Sequence, residues 1–136
     1  MKLFDNISTQ RALDPDVRTG VATGEKVVDT QGHRDGMLVG VAGDVTCTTG
    51  NTYTLTVMEC DTSTGSFTST GISVEFSGAN DAAASNQVQL ARISELNVVR
   101  KRFLRVDLTC TATTTSFEGG AVLLLGESYA GPINSD

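Results

Sequence analysis

The feature that most constrains the fold of this chain is a period of two in its apolar residues. In YTLTVMECD, residues 53–61, the apolar residues Tyr53, Leu55 and Val57 alternate with threonines. This alternation is typical of a half-buried β-strand, whose successive side chains point to opposite faces. The turn signal STGS follows directly. The segment therefore predicts a strand with one face in a core and the other in a polar environment.

Similar segments recur along the chain, separated by turn signals. The chain contains nineteen threonines, fourteen glycines and only two prolines, which suits short pleated strands joined by tight turns. We expect an all-β fold, a single β-sandwich or jelly roll of about seven to eight strands. A short helix after Asn80 or Asp81 is a less favoured alternative for residues 82–84. The predicted strands cover residues 27–28, 37–43, 53–61, 72–77, 88–94, 103–112 and 120–129.

The chain length and the cysteines place limits on the class of protein. With 136 residues, 39% of them hydrophobic and 19% charged, the chain matches one folded domain. The three cysteines form an odd set without a C-x-x-C pair, which argues against both a disulfide framework and a zinc site. Strand parity sends Cys60 and Cys110 to opposite faces, so a disulfide between them is not expected. Each cysteine, Cys47 included, is expected to act as a small hydrophobe.

Residues 1–24 differ from the rest because they show no sustained alternation. They contain Pro15 between two aspartates and end in glycine-rich turn chemistry. Their apolar residues are too numerous for a solvated tail, so we predict an N-terminal arm, residues 1–24, ahead of a β-sandwich domain, residues 25–136. The arm is expected to lie either on its own domain or on an adjacent subunit. Its apolar residues are Leu3, Phe4, Ile7, Ala12, Leu13 and Val17.

The segment RKRFLRV, residues 100–106, places four cations in seven residues of a chain with a formal net charge of −6. Alternation puts Leu104, Val106 and Leu108 in the core and Arg105 on the opposite face, with the other cations at the start of the strand. The cations could pair with carboxylates of a partner subunit. They could also pair within the chain, for example Arg105 with Asp107. Nucleic-acid binding is disfavoured because the field of an acidic protein repels phosphate.

Neither catalytic nor membrane-spanning signals are found in the sequence. His33 is the only histidine, and a turn residue is its simplest interpretation. Nucleotide-binding, nucleophile-elbow and calcium-loop motifs are missing, so no enzyme activity and no cofactor are expected. The longest apolar stretch, residues 121–125, is far too short for a membrane helix. The N-terminus lacks the apolar region of a secretory signal, so synthesis in a cytoplasm is expected.

Four segments, in this order and over nearly the whole chain, carry a resemblance: RALDPDVRT, YTLTVMECDTSTGSF, VQLARIS and KRFLRV. Together they resemble small head decoration or cement proteins of tailed bacteriophages, although ECDTSTG departs from the more acidic turn of that group. The resemblance implies a compact β-sandwich with an N-terminal arm that binds the outer capsid lattice and stabilises the head. It further implies a major capsid protein as partner, a homo-oligomer with a trimer as first guess, and a place on the capsid exterior.

The arm and the cationic strand supply the candidate interface residues, none of them catalytic. The rival hypothesis is a receptor- or glycan-binding β-sandwich on a virion surface. The absence of tryptophan and the aromatic content of 5% argue against sugar recognition. The candidate interface residues are Leu3, Phe4, Arg11, Leu13, Pro15, Arg18, Arg100, Lys101, Arg102 and Arg105.

Overall fold

The computed structural model describes residues 7–18, 22–24, 26–46, 52–77, 81–111 and 116–128. These residues form eight β-strands and one short helix. In chain order they are β1 (Ser8–Arg18), β2 (Val28–Asp29), β3 (His33–Thr46), β4 (Thr52–Cys60), β5 (Thr68–Ser77), α1 (Asp81–Ala84), β6 (Val88–Ile93), β7 (Phe103–Cys110) and β8 (Ser116–Ser128).

The strands form two antiparallel four-stranded sheets. The first sheet has the order β1-β8-β3-β6 and the second the order β2-β7-β4-β5. The first strand therefore pairs with the last, the second with the seventh, the third with the sixth and the fourth with the fifth. This nested pairing is the topology of an eight-stranded jelly roll. The predicted all-β sandwich is confirmed.

The seven predicted strands correspond to β2 through β8, with shifted ends. The parity expected from the alternation also holds. On β4, Tyr53, Leu55 and Val57 are buried, and on β7 the buried residues include Leu104 and Val106. The less favoured helix exists as the single turn α1.

The core lies between the two sheets and has an aromatic centre. The ring of Phe117 stacks on that of Tyr53 with centroids 5.2 Å apart and meets that of Phe76 at 5.4 Å. Close approach of the sheets explains Gly40, where an added Cβ would lie 2.9 Å from a Leu55 methyl and 3.0 Å from the Phe76 ring. Any larger residue on this part of β3 would push the sheets apart.

The N-terminal segment differs from the expected arm. Residues 8–18 form β1, an edge strand paired with β8, and its residues Ala12 and Leu13 are fully buried in the core. The strand lies on its own domain, which decides the question that the sequence left open for this part of the segment. Its pairing shifts register between Arg11 and Leu13 and again between Leu13 and Asp16. Such bulges move side chains off a strict period of two, which explains why no alternation is visible.

The two described cysteines are free thiols at opposite ends of the β4–β7 pair. Cys60 lies opposite Phe103, whereas Cys110 lies opposite Tyr53. This separation agrees with the expectation that they form no disulfide. Cys47 lies outside the described residues. Within the described ranges, no helix is long and apolar enough to cross a membrane.

Candidate protein-docking site

Residues 94–102 connect β6 of the first sheet to β7 of the second, and they present two apolar side chains to solvent. Val98 is 76% exposed and Val99 is 56% exposed. A connection that crosses between sheets at the end of a sandwich is well placed to contact another molecule. We call residues 94–102 the docking loop.

The docking loop has a defined shape because its backbone makes a tight, specific turn. The Glu95 carbonyl accepts hydrogen bonds from the N–H groups of Val98, Val99 and Arg100 at 3.1, 3.0 and 3.2 Å. Glu95 and Asn97 adopt positive φ angles of 58° and 61°. A positive φ is costly for a residue with a side chain and persists only where surrounding contacts hold it in place.

Those contacts are made by two residues of the docking loop itself, Leu96 and Asn97. Leu96 is fully buried, and its N–H donates to the Arg34 carbonyl at 2.9 Å. The Asn97 side-chain amide donates to the carbonyls of Thr30 at 2.7 Å and His33 at 3.2 Å. Asparagine tolerates the left-handed region better than most residues, so the side chain and the backbone of Asn97 favour the same turn.

A second anchor is the carboxylate of Glu59, which is only 8% exposed. It accepts the Lys101 backbone N–H at 3.0 Å and lies 3.7 Å from the Arg100 guanidinium. Arg100 also donates to the Thr70 carbonyl at 3.2 Å. In the sequence, Glu59 lies near the end of a predicted strand, two positions before Asp61. Its inward parity, shared with Val57, is the signal that could have predicted burial.

Two exposed cations, Lys101 and Arg102, follow the exposed valines in the docking loop. Arg102 makes two hydrogen bonds of 2.8 Å to the Asp29 carboxylate, and this pairing holds the pKa of Asp29 below its ordinary value. Lys101 lies 3.9 Å from Asp61. All four side chains are more than 40% exposed. Exposed pairs of this kind contribute only about 0–1 kcal/mol, so a partner molecule can share or exchange them at little cost.

A charged cleft of about 500 Å³ adjoins the exposed valines. On one wall, the Arg92 guanidinium makes a two-pronged contact to Asp35 at 3.3 and 3.0 Å. An apolar projection beside charged, hydrogen-bonding groups has the chemistry of a protein interface, with an apolar centre and a polar rim. The cleft is lined by Arg34, Asp35, Arg92, Ser94, Glu95, Asn97 and Val98.

The remaining cation of the RKRFLRV segment has a structural role. Arg105 makes two hydrogen bonds to Asp107, at 2.8 and 2.9 Å, and its guanidinium lies 4.6 Å from the centre of the Phe67 ring. Both members of the pair are mostly shielded from solvent, as are Arg100 and Glu59. For Arg100 and Arg105, the structure thus shows pairing within the chain, one of the two alternatives that the sequence left open. Only Lys101 and Arg102 are exposed enough for intermolecular contact.

The N-terminal candidates lie away from the docking loop, on β1. Arg11 is exposed and lies 3.2 Å from the Asp14 carboxylate, and Pro15 is exposed. Arg18 donates to the Gly119 carbonyl at 3.2 Å. Leu13 cannot be an interface residue because it is buried in its own core. The further candidates Leu3 and Phe4 lie outside the described residues.

The residues that the structure describes form no cluster of metal-binding side chains. No three side chains of histidine, cysteine, aspartate or glutamate come close enough to hold an ion there.

Comparison with known proteins gives a match in fold alone. No protein-family model matches the chain, and no curated protein matches its sequence. A chain in the structure of infectious bursal disease virus Gx strain superposes with a TM-score of 0.53 and 11% identity over 95% of this chain. A chain of the Gt strain gives 0.52 and 12% over 93%. The present chain spans 33% of each of those chains. Its jelly roll is therefore a fold that these virus chains also contain.

Proposed function

We propose that this chain is a virion structural protein that binds the outer surface of a capsid lattice and stabilises the head, as decoration or cement proteins of tailed bacteriophages do. Its partner is the major capsid protein, and the docking loop is the contact. The protein acts by binding, without catalysis and without a cofactor.

The observation that carries this proposal is the docking loop on a jelly roll whose fold is shared with virus chains. Val98 and Val99 are exposed in a segment that is otherwise held by buried anchors. Such a preformed projection loses little conformational entropy when it binds, because its backbone is already ordered. A protein bound in many copies to a repeating lattice also gains avidity from repetition.

The proposed contact has two parts with different roles. Val98 and Val99 enter an apolar depression on the capsid surface and supply most of the affinity. Lys101 and Arg102 lie at the rim and exchange their own carboxylates for those of the capsid protein. Rim charges act mainly on the rate of association and on its dependence on salt.

The test uses heads of the virus that encodes this chain, produced without it, and purified protein added back. We expect Val98→Asp to lower binding to the heads at least tenfold, since it places a charge in an apolar contact. The matched control is Val17→Asp, which makes the same change at another exposed valine, on β1. Arg102→Ala should slow association at low salt and leave the dissociation rate nearly unchanged.

Two results would contradict the proposal. One is binding of Val98→Asp that equals binding of the Val17→Asp control. The other is intact, stable heads without the protein, combined with lost adsorption to host cells or a specific signal on a glycan array. That second result would favour the receptor- or glycan-binding alternative.

A further inference from the structure

The outward side of the first sheet is apolar, in contrast to that of the second sheet. On the second sheet the outward residues of β4 and β7 include Thr54, Thr56, Arg105 and Asp107. On the first sheet seven outward residues of β3, β6 and β8 are apolar. We call them the apolar face: Met37, Val39, Val41, Val88, Leu90, Val122 and Leu124.

The sequences of β3 and β8 indicate that both sides of these strands are covered. Residues 37–42 and 121–125 are apolar almost throughout instead of alternating. Such runs are typical of strands buried on both faces. One side of β3 and β8 faces the core, whereas on the other side Val41 is 45% exposed. The helix and strands that the structure describes therefore leave part of this side uncovered.

The face has a raised edge and a groove. The raised edge is β6, where Val88 is 61% exposed and Leu90 is 58% exposed. The groove, of about 450 Å³, runs over β8 where Gly119 and Gly120 lack side chains, between β1 and Val41. In the order β1-β8-β3-β6, strand β3 lies midway between the raised edge and the groove.

We propose that the apolar face is covered by the apolar face of a second copy of this chain, related by a twofold axis that runs along β3. Rotation about this axis places β6 of each copy over β8 of the other. The raised edge of one copy then fills the groove of its partner. This is a face-to-face packing of two sheets with aligned strands.

The register of the sheet supports this axis. Val41 pairs with Val88 on one side and with Gly120 on the other, so these three residues form one row across the sheet. A twofold axis parallel to the strands keeps each row at its own height. Val88 of one copy therefore lies at the height of Gly120 of the other, in the groove between the β1 backbone, which packs against Gly120, and Val41. In the next row, Leu90 lies over Val122 in the same way.

Size and charge favour a second copy as the occupant. The three strands of the apolar face and six paired positions span about 14 by 20 Å, or roughly 290 Å² before the relief of side chains is counted. A stable interface buries roughly 800 Å² per partner, so β1 and the polar rim must also take part in the contact. Of the charges at its ends, Arg92 is compensated by Asp35 and Arg11 by Asp14, whereas the exposed Glu118 also lines the groove. The two compensated pairs limit the local repulsion between two copies that each carry a net charge of −6.

The inference is independent of capsid binding, and its test is the mass of the purified protein in solution. Sedimentation velocity over a range of micromolar concentrations should give twice the chain mass of 14.3 kDa. Val88→Arg should raise the dissociation constant at least about tenfold, because two like charges would enter an apolar contact. The matched control is Val98→Arg, which makes the same change on the docking loop. Both valines are mostly exposed, so both variants should keep the parent circular dichroism spectrum.

A second pair of variants tests the axis. Leu90→Lys and Val122→Glu should each weaken the pair, whereas the double variant should restore it through contacts between copies. The proposal is overturned by a parent that stays monomeric or forms a trimer, by equal effects of Val88→Arg and Val98→Arg, or by a double variant without recovery. Loss of head binding by Val88→Arg with an unchanged dimer would assign the face to the capsid and would also overturn it.

Discussion

The place of β1 in the core can be tested by shortening one side chain, Leu13→Ala. Leu13 is fully buried, although it lies in a segment whose sequence resembles an arm. The change removes about three carbon groups, worth roughly 0.8 kcal/mol each in transfer free energy, or about 2.4 kcal/mol. The cavity that remains adds to this cost, so we expect a total of about 3 kcal/mol.

Urea unfolding, followed by circular dichroism, measures this loss. With a slope of about 1.5 kcal/mol per M, the midpoint should fall by about 2 M. The control is Val17→Ala on the same strand. Val17 is 55% exposed, so its truncation should change stability by less than about 0.5 kcal/mol. Equal midpoints for the two variants would refute the reasoning and restore the interpretation of β1 as a detachable arm. Removal of residues 1–18 should for the same reason unfold the protein, since β8 would lose one of its two neighbours and the core would lose Ala12 and Leu13.

Three further predictions concern β7 and the docking loop. Val106→Asp should prevent folding, because an unpaired charge would enter the core at a cost of several kcal/mol, whereas Arg102→Ala should keep the parent far-UV circular dichroism spectrum. Arg102 holds the pKa of Asp29 below 3.8, so the ion pair stabilises the fold above that pH. This contribution is lost as the pH falls through the lowered pKa of Asp29. Asp29→Asn lacks the ion pair, so its stability in an acid titration should fall less steeply below about pH 3.8. Asn97→Ala should lower the free energy of unfolding by about 2 kcal/mol in urea, because alanine strains the positive φ and removes two hydrogen bonds. Asn97→Gly should lower it by less, because glycine adopts a positive φ without strain. Equal losses would show that the backbone angle is unimportant.

Much of the fold was predictable because a strand's side-chain period is a local property of the sequence. Tyr53, Leu55 and Val57 indicate their own burial through their spacing, whatever their partners are. The same holds for Leu104 and Val106. Strand identity, the two faces of β4 and β7 and the β-sandwich class therefore followed from the sequence.

The candidate site was less predictable because its contacts join distant parts of the chain. Arg102 and its partner Asp29 are 73 positions apart, and Lys101 and Glu59 are 42 positions apart. The cations of RKRFLRV were visible in the sequence, as was Asp107, the nearby partner of Arg105, whereas the distant carboxylates of Asp29 and Glu59 were not recognisable as partners. The exposure of Val98 likewise depends on the turn that Asn97 anchors to Thr30, 67 positions away.

The sequence by itself thus determined that the segments of β2 through β8 are strands and which residues of β4 and β7 face a core, since alternation on a pleated backbone indicates both. Only the tertiary structure decided the place of β1, where two bulges hide the period. It also decided that Val88, Val41 and Gly120 form one row on an exposed apolar face. The physical reason is that strand order and register arise from pairing between segments far apart in the chain, and no local spacing encodes which segments will meet.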